Sequence, residues 1–184
     1  MLKKFFLLRI WRRIYLERLG EPFIYNLIFF FYLFFGNFEN KIDYDLIPRQ
    51  PYAFGLKEAF RRVSLESINA KKILILEFGV ASGTGLFNLQ SIANRLSKIY
   101  NLDYQIIGFD TGKGMPPALD FRDHPEKYSK GDFPPLKLSE YNLPKKTKIL
   151  YGDVKDTVHL IKNELGEDDV IGFISVDVDY YSST

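Results

Sequence analysis

The strongest constraint on the fold is a run of aliphatic residues that leads directly into a glycine-rich turn. The run covers residues 73–76, the turn covers 79–85, and apolar residues at helical spacing continue from Leu86 to Ile99. Four consecutive aliphatic residues predict a strand that is buried on both faces. A strand, a glycine turn and a helix in this order are typical of nucleotide-binding α/β sheets.

Three further apolar runs predict strands, and helical patterns lie between most of them. The runs cover 104–110, 148–151 and 170–176, and a helix predicted over 52–69 precedes the first strand. Another helix is predicted between Asp153 and Gly166, whereas 111–144 is rich in Gly and Pro, has no sustained period and is expected to be a long loop. This alternation predicts a Rossmann-like three-layer α/β sandwich with a mostly parallel sheet. Such sheets usually have about five to seven strands, so we expect a fragment that lacks its C-terminal portion.

The N-terminal part differs in composition, which predicts two regions: a basic, aromatic-rich helical arm with a linker (1–51) and the α/β domain (52–184). Residues 1–35 hold six basic and two acidic side chains, and a helix is predicted over 1–19. The apolar run 23–35 is shorter than the roughly 20 residues needed to cross a bilayer. It could pack on its own domain, pack on a second subunit of a homo-oligomer, or form part of a peripheral membrane contact through 1–36. A membrane span or a cleaved signal is less consistent with the sequence, and 37–52 is expected to be a polar linker.

Overall composition limits the kind of partner and compartment. The net charge of the 184 residues is only +2, which argues against a nucleic-acid-binding protein. The chain has no cysteine, which suits a reducing compartment. We therefore expect a cytoplasmic protein, with peripheral membrane association as the open alternative.

The glycine turn predicts a ligand with a negatively charged or nucleotide-like group. Two common phosphate-binding motifs do not fit this turn. Asn88 occupies the third glycine position of the dinucleotide-binding motif, and the chain contains no Walker motif. An acidic residue, Glu77, stands two positions before Gly79 and could reach an ammonium group of the ligand. The alternative is an ordinary tight turn between a strand and a helix.

Acidic residues lie at or just after the carboxyl ends of the other predicted strands, where ligands of open α/β sheets bind. Asp110 is placed to accept ribose hydroxyls or to cap a loop, and Asp153 could lie beside an adenine ring or cap the next helix. Asp177 and Asp179 are two residues apart and are expected to face one site if both belong to a strand. Such a pair could hold a divalent cation, or provide a general base, or merely cap the strand end.

Four motifs together resemble the class I S-adenosylmethionine-dependent methyltransferases, and most closely the macrocin O-methyltransferase family and its relatives. They are EFGVASGTG at 77–85, GFDTGKGMP at 108–116, GDVKDT at 152–157 and DVDYYSST at 177–184. The resemblance implies methyl transfer to a hydroxyl of a sugar or another small molecule, assisted by Mg²⁺. It extends over 52–184 and does not include the arm.

Carried over by position, the resemblance assigns roles to individual residues. By this resemblance Asp179 would be the catalytic base and Asp177 a magnesium ligand, with further acidic ligands expected beyond the final motif. The residues expected to bind S-adenosylmethionine are Glu77, Gly79, Ala81, Ser82, Gly83, Asp110, Thr111 and Asp153. Two other functions stay open: an NAD-dependent oxidoreductase or epimerase, and a non-catalytic, membrane-associated protein with a degenerate nucleotide-binding fold.

Overall fold

The structure is a computed structural model that describes residues 23–66, 69–135 and 143–183. The chain divides into two compact units, Met1–Gln50 and Pro51–Thr184. The helix predicted over 1–19 lies outside the described residues.

The described part of the first unit, from residue 23 onward, contains the helices α1 (Phe23–Phe35) and α2 (Phe38–Asp43). The prediction of a linker without regular structure over 37–52 was therefore wrong at α2. A capping box starts this short helix, because Asn37 accepts from the Asn40 backbone N–H at 2.8 Å and Asn40 accepts from the Asn37 N–H at 3.3 Å. No helix in the described part of the chain is long and apolar enough to cross a membrane.

The described residues of the second unit form a sheet of four parallel strands. They are β1 (Lys72–Phe78), β2 (Asp103–Asp110), β3 (Thr147–Tyr151) and β4 (Asp169–Val176), in the spatial order β3-β2-β1-β4. Helix α3 (Gln50–Leu65) precedes β1, α4 (Thr84–Tyr100) follows it, and α5 (Val154–Thr157) follows β3. This architecture confirms the predicted Rossmann-like α/β fold. The strand order reverses between β1 and β4, which is the point where such sheets bind ligands.

One face of the sheet packs against the segment that includes α5. The buried core on this face consists of aliphatic and aromatic side chains, namely Leu74, Leu76, Ile107, Phe109 and Ile161. Because neighbouring residues of a strand point to opposite faces, Ile73, Ile75 and Glu77 lie on the other face.

Helices α3 and α4 cover that second face at close range. A Cβ atom at Gly108 would come within 3.2 Å of Leu86 on α4, and one at Gly55 on α3 would press against Phe173 of β4. Glycine at these two positions therefore permits the close approach of helix and strand. In this arrangement the first residues of α3 and of α4 lie at the carboxyl end of the sheet, which is also where Glu77 lies.

Two segments differ from the sequence-based expectation. The long helix predicted after Asp153 is a four-residue α-helix followed by a 3₁₀ helix over Val158–Asn163, which still buries Ile161. The segment 111–144 was expected to lack regular structure. Its described part contains one 3₁₀ turn, Phe121–Asp123, and residues 136–142 lie outside the description.

Candidate active site

The turn between β1 and α4 has a left-handed backbone at three positions. The φ angles of Gly79, Ala81 and Gly83 are +90°, +46° and +81°. A Cβ atom at Gly79 would overlap the backbone carbonyl of Asp177, so glycine allows the turn to lie directly against the end of β4. Ala81 adopts the same left-handed conformation although it is not glycine, and this costs conformational energy.

Asp110, at the end of β2, holds this turn in place. Its Oδ2 accepts hydrogen bonds from the N–H groups of Val80 at 3.1 Å and Ala81 at 2.8 Å, and its Oδ1 accepts from Gly112 at 2.7 Å. A carboxylate has about four acceptor positions, so these bonds leave about one for a ligand. The predicted binding of both ribose hydroxyls by Asp110 would therefore require one of these bonds to be exchanged.

The other predicted cofactor residues take part in local turns. Ser82 and Thr84 share a hydrogen bond between their hydroxyls at 3.2 Å, and the Thr111 hydroxyl donates to the Gly114 carbonyl at 3.0 Å. Asp153 accepts from the Lys155 N–H at 3.1 Å and so caps α5, the alternative that the sequence left open. Their contacts to a cofactor stay predictions.

An aromatic side chain that the sequence analysis did not single out lies next to Asp110. Tyr151 ends β3, its ring approaches Gly112, and it is 40% exposed. Burial raises the pKa of Tyr151, and the Asp110 carboxylate raises it further. The two side chains therefore border the same part of the carboxyl edge.

A second cluster lies where the strand order reverses. The Tyr52 hydroxyl, from α3, donates to Asp177 Oδ2 at 2.7 Å. Glu77 is 1% exposed and pairs in register with Ser175 on β4. Burial raises the pKa of Tyr52 to about 12; a hydrogen bond with Ser175 opposes this shift, while Asp177 and Glu77 add to it. The cluster thus joins the ends of α3, β1 and β4 through polar side chains.

Asp179 is bound by a different tyrosine. The Tyr128 hydroxyl, from the long segment after β2, donates to Asp179 Oδ1 at 3.0 Å. Both Asp177 and Asp179 are exposed, so a small molecule can reach them. The expectation that the two point the same way rested on strand geometry, but β4 ends at Val176, so that argument does not apply.

The long segment after β2 is attached next to this site by a buried carboxylate. Asp123 is fully buried and accepts from the Leu119 N–H at 2.8 Å, the Ser182 N–H at 2.9 Å and the Ser182 hydroxyl at 2.8 Å. Burial alone would raise the pKa of Asp123, but these hydrogen bonds outweigh it and hold the pKa below its usual value. Arg122 also lies over the Tyr181 ring, 4.1 Å from its centre.

The donor set expected for a magnesium ion is incomplete in the described residues. Within 23–66, 69–135 and 143–183, no three His, Cys, Asp or Glu side chains are grouped closely enough to hold a metal ion. Mg²⁺ usually keeps an octahedral set of oxygen ligands. Mg²⁺ also commonly binds through only one or two carboxylates with waters, so Asp177 as a magnesium ligand stays a prediction.

Comparison with known proteins identifies a structural neighbour. No protein-family model matches the chain, and no curated protein does either. Among solved structures, the chain is similar to a crystal structure of CalS11, a calicheamicin methyltransferase. The two share 20% identity with a TM-score of 0.50, over 95% of this chain and 66% of CalS11.

The chain is also similar to an apo structure of CalS11, which is described as a TDP-rhamnose 3'-O-methyltransferase of calicheamicin biosynthesis. This second comparison gives 21% identity and a TM-score of 0.38, over 95% of this chain and 66% of CalS11. The chain thus spans slightly less than two thirds of the length of CalS11. At this identity, the first likeness shows that the chain and CalS11 share a fold.

Proposed function

We propose that the protein binds S-adenosylmethionine at the turn after β1 and transfers its methyl group to a hydroxyl of a sugar or another small molecule. One observation carries the proposal: the glycine turn, Asp110 and two exposed aspartates lie along one carboxyl edge, where the strand order reverses. Ligands of open α/β sheets bind at this position. The fold shared with CalS11 supports the same function.

The proposed cofactor contacts use the chain's own charges and backbone. Glu77 lies at the end of β1, where its negative charge would favour an ammonium group bound at the turn. Gly79 and Gly83 keep side chains away from that ligand, and Asp110 fixes the turn that receives it. Ser82, Thr111 and Asp153 border the same edge. The bound cofactor would supply a methyl group on a positively charged sulfur.

The proposed reaction needs a base for the acceptor hydroxyl, and Asp179 is the candidate. It would take the hydroxyl proton while the oxygen forms a bond to the methyl carbon and the sulfur–carbon bond breaks. The products are a methyl ether and S-adenosylhomocysteine. Tyr128 orients the base through its hydrogen bond, and Tyr52 does the same for Asp177.

A binding experiment tests the cofactor part. Titration calorimetry should show S-adenosylhomocysteine binding with a Kd on the order of micromolar, while NAD⁺ and NADH should not bind. Asp110→Ala should weaken binding at least about tenfold, equivalent to about 1.4 kcal/mol. Asp103→Ala is the matched control, because it removes a carboxylate from the opposite end of the same strand. Preferential binding of NAD(H) would instead favour the oxidoreductase function.

A transfer experiment tests the reaction. Labelled S-adenosylmethionine is incubated with small hydroxyl compounds, including TDP-rhamnose, the acceptor named for CalS11. Asp179→Asn should lower the rate by about 10² to 10⁴, the range for loss of a general base, and leave S-adenosylhomocysteine binding unchanged. An unchanged rate would exclude Asp179 as the base without affecting the cofactor assignment.

A further inference from the structure

Helix α1 exposes an uninterrupted apolar stripe. Ile24, Leu27, Phe31 and Phe35 are 63%, 53%, 58% and 73% exposed. Their spacing of three or four residues aligns them along one side of the helix. The sequence of α1, FIYNLIFFFYLFF, contains no charged residue. Contiguous exposed apolar surface of this kind marks a site that contacts a partner or a membrane.

The sequence before this helix is strongly basic. Residues 1–22 contain six Lys and Arg residues and only two Glu residues, a net charge of +4. Positive charge next to an apolar, aromatic surface is the combination that attracts a protein to a membrane with anionic lipids. We infer that residues 1–35 dock the protein on an anionic lipid surface, with the stripe of α1 inserted among the acyl chains and the basic residues at the headgroups.

This docking is interfacial and does not require a span. Helix α1 has 13 residues, fewer than the roughly 20 needed to cross a bilayer. Tyr25 is 53% exposed, and tyrosine suits the boundary between headgroups and acyl chains because its ring is apolar and its hydroxyl is polar. Attachment of this kind does not depend on the proposed reaction.

The net positive charge of residues 1–22 also favours lipid over a second copy of the chain as the surface that contacts the stripe. Two copies that met through α1 would bring two segments of charge +4 close together, and like charges repel. An anionic bilayer offers the opposite charge and an apolar layer at once. The observations therefore favour lipid over self-association.

Vesicle flotation of the full chain tests the inference. We expect binding to vesicles of phosphatidylglycerol and phosphatidylcholine to be at least about tenfold stronger than to pure phosphatidylcholine. Raising the salt from about 0.1 M to about 0.5 M should weaken binding to the anionic vesicles, because salt screens surface charge. Equal binding to both compositions, or no binding to either, would overturn the inference.

A pair of variants locates the contact. Phe31→Ser combined with Phe35→Ser should reduce binding to anionic vesicles at least about tenfold, because two large apolar side chains are lost. The matched control is Leu119→Ser with Phe121→Ser, which removes two side chains that are 77% and 81% exposed in the other unit. The control should bind like the wild type. If the first variant binds vesicles normally, or if it only converts a dimer to a monomer, the stripe does not dock on lipid.

Discussion

At the scale of single residues, the turn between β1 and α4 combines two opposite situations. Gly79 is in a left-handed conformation and also faces the Asp177 carbonyl so closely that no side chain fits. Ala81 has the same hand but carries its methyl group, which shows that space is available there. The two positions should therefore differ strongly in their sensitivity to exchange of glycine and alanine.

Gly79→Ala should destabilise the protein by about 2 kcal/mol or more, because a left-handed alanine is strained and its methyl group would collide with backbone. Ala81→Gly should change stability by less than about 1 kcal/mol, because relief of strain is offset by the greater freedom of glycine in the unfolded chain. Urea unfolding measures both values. Similar effects of the two substitutions would show that backbone contact at Gly79 is unimportant.

Tyr52→Phe should lower the free energy of unfolding by about 1 kcal/mol, the typical value of one hydrogen bond. The loss stays modest because Asp177 is exposed and water can replace the hydroxyl. Tyr25→Phe is the control, since that side chain is more than half exposed; it should change stability by less than about 0.5 kcal/mol. A cost for Tyr52→Phe no larger than the control would mean that the hydrogen bond contributes nothing.

Some of these residues could be located from the sequence and others could not. Glu77 and Asp110 lie at the ends of β1 and β2, and their position at the carboxyl edge follows from where the two apolar runs stop in the sequence. Tyr52 lies 125 residues from its partner Asp177, and Tyr128 lies 51 residues from Asp179. Those pairs are set by how α3 and the long segment after β2 pack. Periodicity carries no information about such packing.

At the scale of elements, too, the sequence located what a local pattern encodes and missed what depends on other interactions. The four strands were recognisable because each is a short apolar run, and α3 and α4 because their apolar residues repeat at helical spacing. Helix α2 was missed because six residues are too few to show a period, and its start depends on a capping box. The helix after Asp153 was overestimated because Val158 and Ile161 fit a helical pattern equally well in α and 3₁₀ geometry.

The segment after β2 gives a pH-dependent prediction. The pKa of Asp123 is held below the unfolded value of about 3.9. Its carboxylate therefore stabilises the folded state above about pH 4, and this contribution is lost as the pH falls through the lower folded pKa. Asp123→Asn should lower the Tm by about 5 °C at neutral pH, and the difference from wild type should shrink below about pH 4.

Thermal unfolding between about pH 3 and pH 7 measures this dependence. Asp156→Asn provides the control, because Asp156 is an exposed carboxylate on α5. The Tm of Asp156→Asn should stay close to that of the wild type at every pH. A Tm difference for Asp123→Asn that does not vary with pH would assign its effect to packing instead of charge.

At the scale of the whole molecule, the two units have separate sets of features. Every candidate cofactor and catalytic residue lies in Pro51–Thr184, whereas the apolar stripe of α1 lies in Met1–Gln50. We therefore expect that substitutions in one unit can alter the proposed chemistry without altering the proposed attachment, and the reverse. This separation was partly visible in the sequence, as a change from a basic, aromatic-rich segment to an alternation of strands and helices.

Removal of residues 1–46 should therefore leave cofactor binding intact. The shortened chain keeps α3 with Tyr52, the glycine turn and Asp110, so its Kd for S-adenosylhomocysteine should stay within about threefold of the full chain, a difference below 1 kcal/mol. It should lose binding to anionic vesicles at the same time. Circular dichroism first checks that the shortened chain is folded. If it is folded but no longer binds S-adenosylhomocysteine, the first unit contributes to the cofactor site, and the two functions are not separable.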